Sequence, residues 1–230
     1  DQVINSIWDH KVSFSYSQTQ RKYKDDPDSV DPADNIHNWF KGDMKKFEWQ
    51  HNVCPVDWDT ITGGFEYGEE RGFSDGRASW DRFDRKTIDN KGYYFQNQLK
   101  FWDSLFITPG LRVDDHQLFG TETTYKISTA YLISQIGTRL KGNWGTGFKA
   151  PSLYQLYSSY GSTSLKPDES QSYDFGFDQS LFDSKVSFGL TYFHNDFKNM
   201  VDFDLDPASP TYYKYINIGR AETKGFEVES

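Results

Sequence analysis

The sequence predicts an all-β protein: the wall of an antiparallel up-and-down transmembrane β-barrel, in about ten strands. Three observations carry this. Aromatic residues make up 18% of the 230 residues while hydrophobic residues reach only 36%, and mean hydropathy is −0.79. Disordered chains share the low hydropathy but lack aromatics, and soluble domains fill their cores with aliphatics. A membrane barrel has a thin apolar exterior with aromatic girdles and a polar lumen and loops, so it reconciles the numbers. The second observation is alternation with period two, and the third is an alternation of long and short links.

The strands follow in order. "KVSFSYSQTQ" puts Val12, Phe14 and Tyr16 on one face of a strand over 10–20. Strands over 43–52 and 58–69 come next, then "KGYYFQNQLKF", which aligns Tyr93, Phe95, Leu99 and Phe101 within 91–102. "LFITPGLRV" aligns Leu105, Ile107, Leu111 and Val113 within 104–115, and strands over 122–133 and 137–149 succeed it. "YDFGFDQSL" sets Tyr173, Phe175 and Phe177 against Asp174, Gly176 and Asp178 in 168–180. "KVSFGLTYF" sets Val186, Phe188 and Leu190 against Ser187 and Gly189 in 185–204, and a last strand covers 212–230. Such alternation marks strands with one apolar and one polar face.

The links are long at 21–42, 70–90, 116–121, 150–167 and 205–211, and tight at 53–57, 102–104, 134–136 and 181–184. A membrane barrel has short periplasmic turns on one rim and longer extracellular loops on the other, whereas a soluble sandwich has no such two-sided rule.

Net charge is −9, which argues against nucleic acid as a partner. The lone Cys54 can close no internal disulfide and has no zinc-site spacing. No window approaches the ~18 apolar residues of a membrane helix. The chain opens on Asp1 without a signal peptide, so it is expected to be a processed chain or an excerpt.

Four blocks in order, "GNWGTGFKAPSLYQLY", "LKPDESQSYDFGF", "YFHNDFKNMVDFD" and "YINIGRAETKGFEVES", resemble the later barrel of a TonB-dependent outer-membrane receptor of the cobalamin and siderophore branch. The blocks cover 137–230; upstream the likeness is strand rhythm. The resemblance implies a 22-stranded barrel filled by a separate plug, outer loops that bind a scarce bulky nutrient (iron chelate, cobalamin or haem), and energy relayed by a TonB complex that grips a peptide before the plug. No plug or TonB-contacting peptide is visible in residues 1–230, and Glu227-Val228-Glu229-Ser230 lies inside a strand. The chain is therefore expected to be one partial barrel domain, 1–230, surrounded by outer-membrane lipid and unable to transport alone, because open strand edges are not tolerated in a bilayer.

Candidate sites are few, and neither catalytic residues nor a resident cofactor is expected. Lys149, Tyr154, Tyr157 and Tyr160 are the candidate ligand-binding residues. Lys149-Ala150-Pro151 ends a strand, since proline has no N–H for the ladder. "SLYQLY" then suits one helical turn, which would bring the three tyrosines near one face, to contact a large ligand or to pack the loop on the rim. Asp25, Asp26, Asp28, Asp31 and Asp34 form either a solvated loop or a calcium site; the spacing matches no EF-hand and favours the first. His10, His37, His51, His116 and His194 are scattered, with no metal-ligand spacing. Glu69-Glu70 and Asp114-Asp115 read as loop-side charge, because adjacent strand residues face opposite ways. Gly142, Gly145 and Gly147 read as strand glycines, not a nucleotide loop. Trp39, Trp49, Trp58, Trp80, Trp102 and Trp144 suit an interfacial girdle, with Trp58 and Trp102 at tight turns. A passive porin and a soluble β-rich module are the competing readings. The "FKAPSLYQLY" and "NIGRAETKGFE" blocks argue against the porin.

Overall fold

The computed structural model describes residues 2–32, 35–76, 82–182 and 185–230; Asp34 and Trp80 fall outside them. The order is β1 (Gln2–Asn5), β2 (Trp8–Asp25), β3 (Ile36–Val56), β4 (Asp59–Gly76), β5 (Phe83–Phe101), β6 (Leu105–His116), β7 (Gly120–Ile133), β8 (Thr138–Lys149), α1 (Leu153–Tyr157), β9 (Asp168–Leu181), β10 (Val186–Lys198), β11 (Val201–Phe203), β12 (Tyr215–Asn217) and β13 (Arg220–Glu229). Eleven strands form one sheet in chain order, β1 through β10 followed by β13, and every pair is antiparallel. β11 and β12 pair only with each other.

The up-and-down rhythm holds, but several boundaries move. β2 to β5 run 18 to 21 residues, well into the segments expected as loops at 21–42 and 70–90. Alternation is not needed there, because cross-strand backbone bonds such as Lys22↔Trp39 and Lys41↔Phe73 continue the ladder with polar side chains on both faces. The expected strand 185–204 breaks after Lys198, where Asn199 turns the chain at φ 55°. The expected strand 212–230 begins instead in the separate hairpin, and β13 starts at Arg220. The short β1 was not foreseen. At about 3.3 Å per residue, the 21 residues of β3 span roughly 70 Å along the strand, far more than a tilted strand needs to cross ~25 Å of hydrocarbon. β2 to β5 therefore stand well above the other strands at the long-link rim.

Register separates the two faces. Val12, Trp49, Phe65, Tyr93 and Val113 make one cross-strand row. Ile107, Thr129, Gly142, Phe175, Tyr192 and Phe226 make another. Rings of these rows stand open to the outside: Tyr93 is 52% exposed, Phe175 59% and Phe226 70%. Water does not favour such a surface, so it is the exterior of a barrel wall. At the tight-turn rim Trp58 stacks on Phe101 at 5.9 Å and 28°. Trp102 and Asp103 both take positive φ, as a type I′ hairpin turn requires.

The opposite face is polar. Arg112 donates to Asp114 Oδ2 at 2.7 Å and to Glu66 Oε1 at 3.1 Å, and Lys46 pairs with Glu66 at 2.5 Å. Tyr94 donates to Glu48 at 2.9 Å. Gly92 lies beneath the Arg112 guanidinium, where a Cβ would collide with it. Asp114, read from sequence as loop-side charge, is instead a buried member of this network. Alternation placed it on the polar face, but the pairing Arg112 to Glu66 crosses from β6 to β4 over β5 and has no local signature.

Candidate functional site

The apolar core among the described residues lies not inside the sheet but on its polar face, at the long-link rim. Leu153, Leu156 and Leu165 from the 150–167 loop close over Phe83 and Ile88 of β5, with Phe40 of β3 beside them. Leu153 is 1% exposed. It sits against Gly72 of β4, where a Cβ would come within 3.0 Å of its Cδ1. The loop that leaves β8 therefore reaches across the polar face to β3, β4 and β5 and covers their protruding ends.

The local sequence explains the lid. Pro151 stops the ladder, and Ser152 then starts α1 with a full capping box: its hydroxyl accepts from Gln155 N at 3.3 Å while Gln155 Oε1 accepts from Ser152 N at 2.9 Å. One turn suffices to bury Leu153 and Leu156 together. The lid is tied to the 199–219 segment. Tyr215 N donates to Tyr160 O at 2.8 Å, and Lys214 Nζ to Ser159 O at 2.5 Å. Asn217 accepts from Lys166 N at 2.8 Å and donates to Lys166 O at 2.9 Å and Asn199 O at 2.5 Å. Val201 N donates to Asp168 Oδ1 at 2.9 Å.

Between this lid and the ends of β2 and β3 lies a cavity of about 740 Å³, lined by Arg21, Tyr23, Phe40, Glu70, Tyr154 and Tyr215 among others. Rings dominate it. Tyr154 meets Phe40, Phe83 and Tyr215 edge to face at 6.2 to 6.3 Å. Arg21 has no ion-pair partner among the described residues, so it offers a cation to the cavity. The volume is within the usual range for a small-molecule pocket, and aromatic rings interleaved with polar and charged groups are the usual pocket chemistry.

The sequence candidates separate. Tyr154 lines the cavity. Tyr157 lies under the Lys86 ammonium, 4.9 Å from the ring centre, outside that lining. The helix ends at Tyr157, so Tyr160 does not share its face and packs on Phe203 at 5.8 Å. Lys149 ends β8 with its side chain 77% exposed, 3.8 Å from Asp168. Sequence reasoning missed Arg21, Tyr23, Phe40 and Tyr215. Phe40 carried a signal: it stands on the even, polar parity of β3, opposite to Phe47 and Trp49.

Asp26, Asp28 and Asp204 each have donors of their own. Asp26 is held below its ordinary range by Lys24 and by His37, the latter at 2.7 Å. Asp28 is lowered by the Asp31 and Val30 amides at 2.8 and 2.7 Å. Asp204 is lowered by the Ser209 and Thr211 hydroxyls at 2.5 and 2.6 Å. Among the described residues, His194, Asp196 and Glu222 are the one set of three metal-ligating side chains that gathers, within 4.8 Å. Arg220 and Lys224 already hold its two carboxylates. His10 and His51, far apart in sequence, meet across β2 and β3 at 5.7 Å, each accepting an indole N–H.

The family model described as "TonB dependent receptor-like, beta-barrel" matches residues 4–230. The vitamin B12 transporter BtuB of Vibrio cholerae is 29% identical over 217 residues, covering 94% of this chain and 31% of the relative. The chain thus spans about a third of the length of such relatives. Among solved structures, a variant of the ferric enterobactin receptor of Pseudomonas aeruginosa superposes with a TM-score of 0.80 at 19% identity, over 97% of this chain and 38% of that one. The siderophore receptor PirA of Acinetobacter baumannii gives 0.75 at 20%, over 95% and 39%. The copper transporter OprC gives 0.73 at 13%, over 98% and 40%. At these identities the structural likeness concerns the fold.

Proposed function

The chain belongs to the TonB-dependent receptor β-barrel family, and on that premise we propose that it forms part of the wall and outer loops of an outer-membrane active transporter. The apolar face meets lipid, the tight turns face the periplasm, and the long links face outside. The lidded cavity takes a scarce, bulky nutrient: a ferric siderophore, cobalamin or haem. The whole receptor adds a plug and draws its energy from the TonB complex; no covalent chemistry is needed. The observation that carries this reading is the aromatic cavity of about 740 Å³ at the outer rim, roofed by α1.

In this reading Tyr154 contacts the ligand. Tyr157 and Tyr160 hold the roof, and Lys149 stands exposed at its hinge. Large rigid rings give contact area at little entropic cost. The test is tryptophan-fluorescence titration of the full-length receptor with cyanocobalamin, ferric enterobactin and haem. One of the three binds, and Tyr154→Ala weakens it about tenfold, as truncation of a central ring does. Trp102→Ala, at the opposite rim, leaves it unchanged. Unaltered titration of Tyr154→Ala would place the ligand elsewhere.

A further inference from the structure

The ladder between β7 and β8 ends before either strand does. The two pair from Ile133↔Thr138 to Lys126↔Gly145. Beyond that point β7 runs on to Gly120, laddered to β6 alone, and β8 runs on to Lys149, laddered to β9 alone. At the first unpaired position a side chain stands in for a backbone carbonyl: Tyr125 N donates to Thr146 Oγ1 at 3.0 Å. The free arm of β8, residues 146–149, is roughly 13 Å long at about 3.3 Å per residue. A cavity of about 490 Å³ fills the parting, lined by Glu122, Thr123, Thr124, Thr146 and Glu169 among others. So polar a lining holds water, and water satisfies open strand edges at any width of the gap.

The parting divides the long-link rim into two sets. On one side ladders join the ends of β2 to β7. On the other, ladders join β8, β9, β10 and β13 as far as Lys149↔Asp168, Lys198↔Glu169 and Lys198↔Arg220. Directional bonds add the lid and the β11–β12 hairpin to this second set: Val201 to Asp168, Asn217 to Lys166, Tyr215 to Tyr160 and Arg220 to Asp196. Contacts of another kind meet across the division. Leu153 and Leu156 pack on Phe40, Phe83 and Ile88, the Lys86 ammonium lies over the Tyr157 ring, and Phe148 meets His116 edge to face at 6.4 Å. Apolar contact is non-directional and reforms at a shifted spacing, whereas ladder bonds hold one. The cavity of about 740 Å³ lies across this division: Arg21, Phe40 and Glu70 belong to the first set, Tyr154 and Tyr215 to the second.

We propose that the parting is a hinge in the wall. The ends of β8, β9, β10 and β13 swing as one body with α1 and the β11–β12 hairpin, pivoting where the ladder resumes at Lys126 and Gly145. The swing widens and narrows the roofed cavity. A bulky ligand then enters past a moving section of wall, not past a moving loop alone. The motion is independent of what the cavity binds; its use in ligand entry rests on the function proposed above.

Pulsed electron paramagnetic resonance on the full-length receptor in nanodiscs tests the motion without ligand. Spin labels go on exposed residues, with the native cysteines replaced, Cys54→Ser among them. Lys22→Cys with Glu169→Cys spans the division. Lys22→Cys with Leu118→Cys lies within the first set, and Glu169→Cys with Ala208→Cys within the second. The spanning pair gives a distance distribution roughly twice as broad as either internal pair. Equal breadths overturn the hinge, and so does a Glu169–Ala208 pair as broad as the spanning one, which would assign the movement to the loops. Thr123 and Phe148 would face each other if the register continued. Thr123→Cys with Phe148→Cys therefore oxidises to a disulfide that narrows the parting. Association of whichever probe binds, cyanocobalamin, ferric enterobactin or haem, then slows about tenfold until dithiothreitol restores it. A pair that never oxidises shows strand ends that do not approach, and overturns the hinge. Unchanged association in the oxidised protein overturns the use in ligand entry and leaves the motion standing. Binding of none of the three overturns the cargo reading and not the hinge.

Discussion

Asn217→Ala tests whether the roof of the cavity is one cooperative unit. Asn217 stands at the end of β12 and makes three hydrogen bonds, two to the backbone of Lys166 and one to Asn199 O. It therefore copies a strand partner for the end of the lid loop. Each neutral bond contributes about 0.5–1.5 kcal/mol net, and the site is half-buried, so water recovers part of the loss. A value near the lower end of the sum, about 2 kcal/mol, raises the local opening constant roughly thirtyfold, since 1.4 kcal/mol is tenfold. Hydrogen exchange of the full-length receptor in detergent reads this directly. Amides in 153–167 and 199–219 exchange roughly thirtyfold faster, while those in the ladders of β2 to β9 keep their rates. Asn217→Asp keeps the acceptor for Lys166 N but sets a carboxylate oxygen against the Lys166 and Asn199 carbonyls in place of the two donors, and that repulsion brings it at least as low as the alanine variant. Unchanged exchange in both loops would refute the coupling. Acceleration spread evenly over the sheet would show that the lid has no stability of its own.

Leu153→Ala removes the most deeply buried side chain of the lid and costs about 2–5 kcal/mol; nutrient binding falls while the heat-induced gel shift of the folded barrel stays, whereas loss of that shift would make Leu153 part of the wall. Gly176→Ala puts a Cβ 2.9 Å from Thr191 Cα and against Leu190 O, so backbone must give. About 1–3 kcal/mol of strain lowers the heat-shifting fraction, and a wild-type fraction would show that β9 and β10 can spread there. Asp204 has its carboxyl lowered from 3.8 by three donors, so its contribution is full above that value and disappears as pH falls through the lower folded value. Exchange at 204–211 is flat from pH 8 to 5 after correction for intrinsic rates and rises below about 4. Asp204→Asn abolishes the acid-side rise; a rise that survives the substitution assigns it to another group.

The wall was legible because its two solvents write a period-two code. Phe175, Tyr192 and Phe226 need only local alternation to be placed outward, and Pro151 needs only its missing N–H to end β8. The upper halves of β2 to β5 were not legible, because "QRKYKD" against "IHNWFKG" pairs by backbone alone with mixed polarity on both faces. The cavity was half legible. Tyr154 could be named from its loop, but Arg21 and Tyr23 come from a strand more than 100 residues earlier, and only the fold brings them under α1. Tyr160 misled for a simpler reason: spacing of three implies one face only while the helix lasts, and α1 is five residues long.

The location of the core explains why lid and cavity cannot be tuned separately. In this wall the exterior is apolar and the interior polar, so a lid that folds inward finds no apolar surface waiting for it. The chain supplies one by reversing parity locally: Phe40 and Ile88 face the polar side, and Gly72 leaves room for Leu153. The same Phe40 lines the cavity, and the same Tyr154 packs on Phe40 and Phe83. A ligand lying against these rings therefore completes the burial that the small lid core begins. Under the proposed function such a ligand binds the closed lid better than the open one, and by linkage lid closure and ligand affinity rise together. A substitution such as Phe40→Ala should then slow ligand capture and speed exchange of the 153–167 amides in the same protein. Either effect without the other would separate the roof from the site.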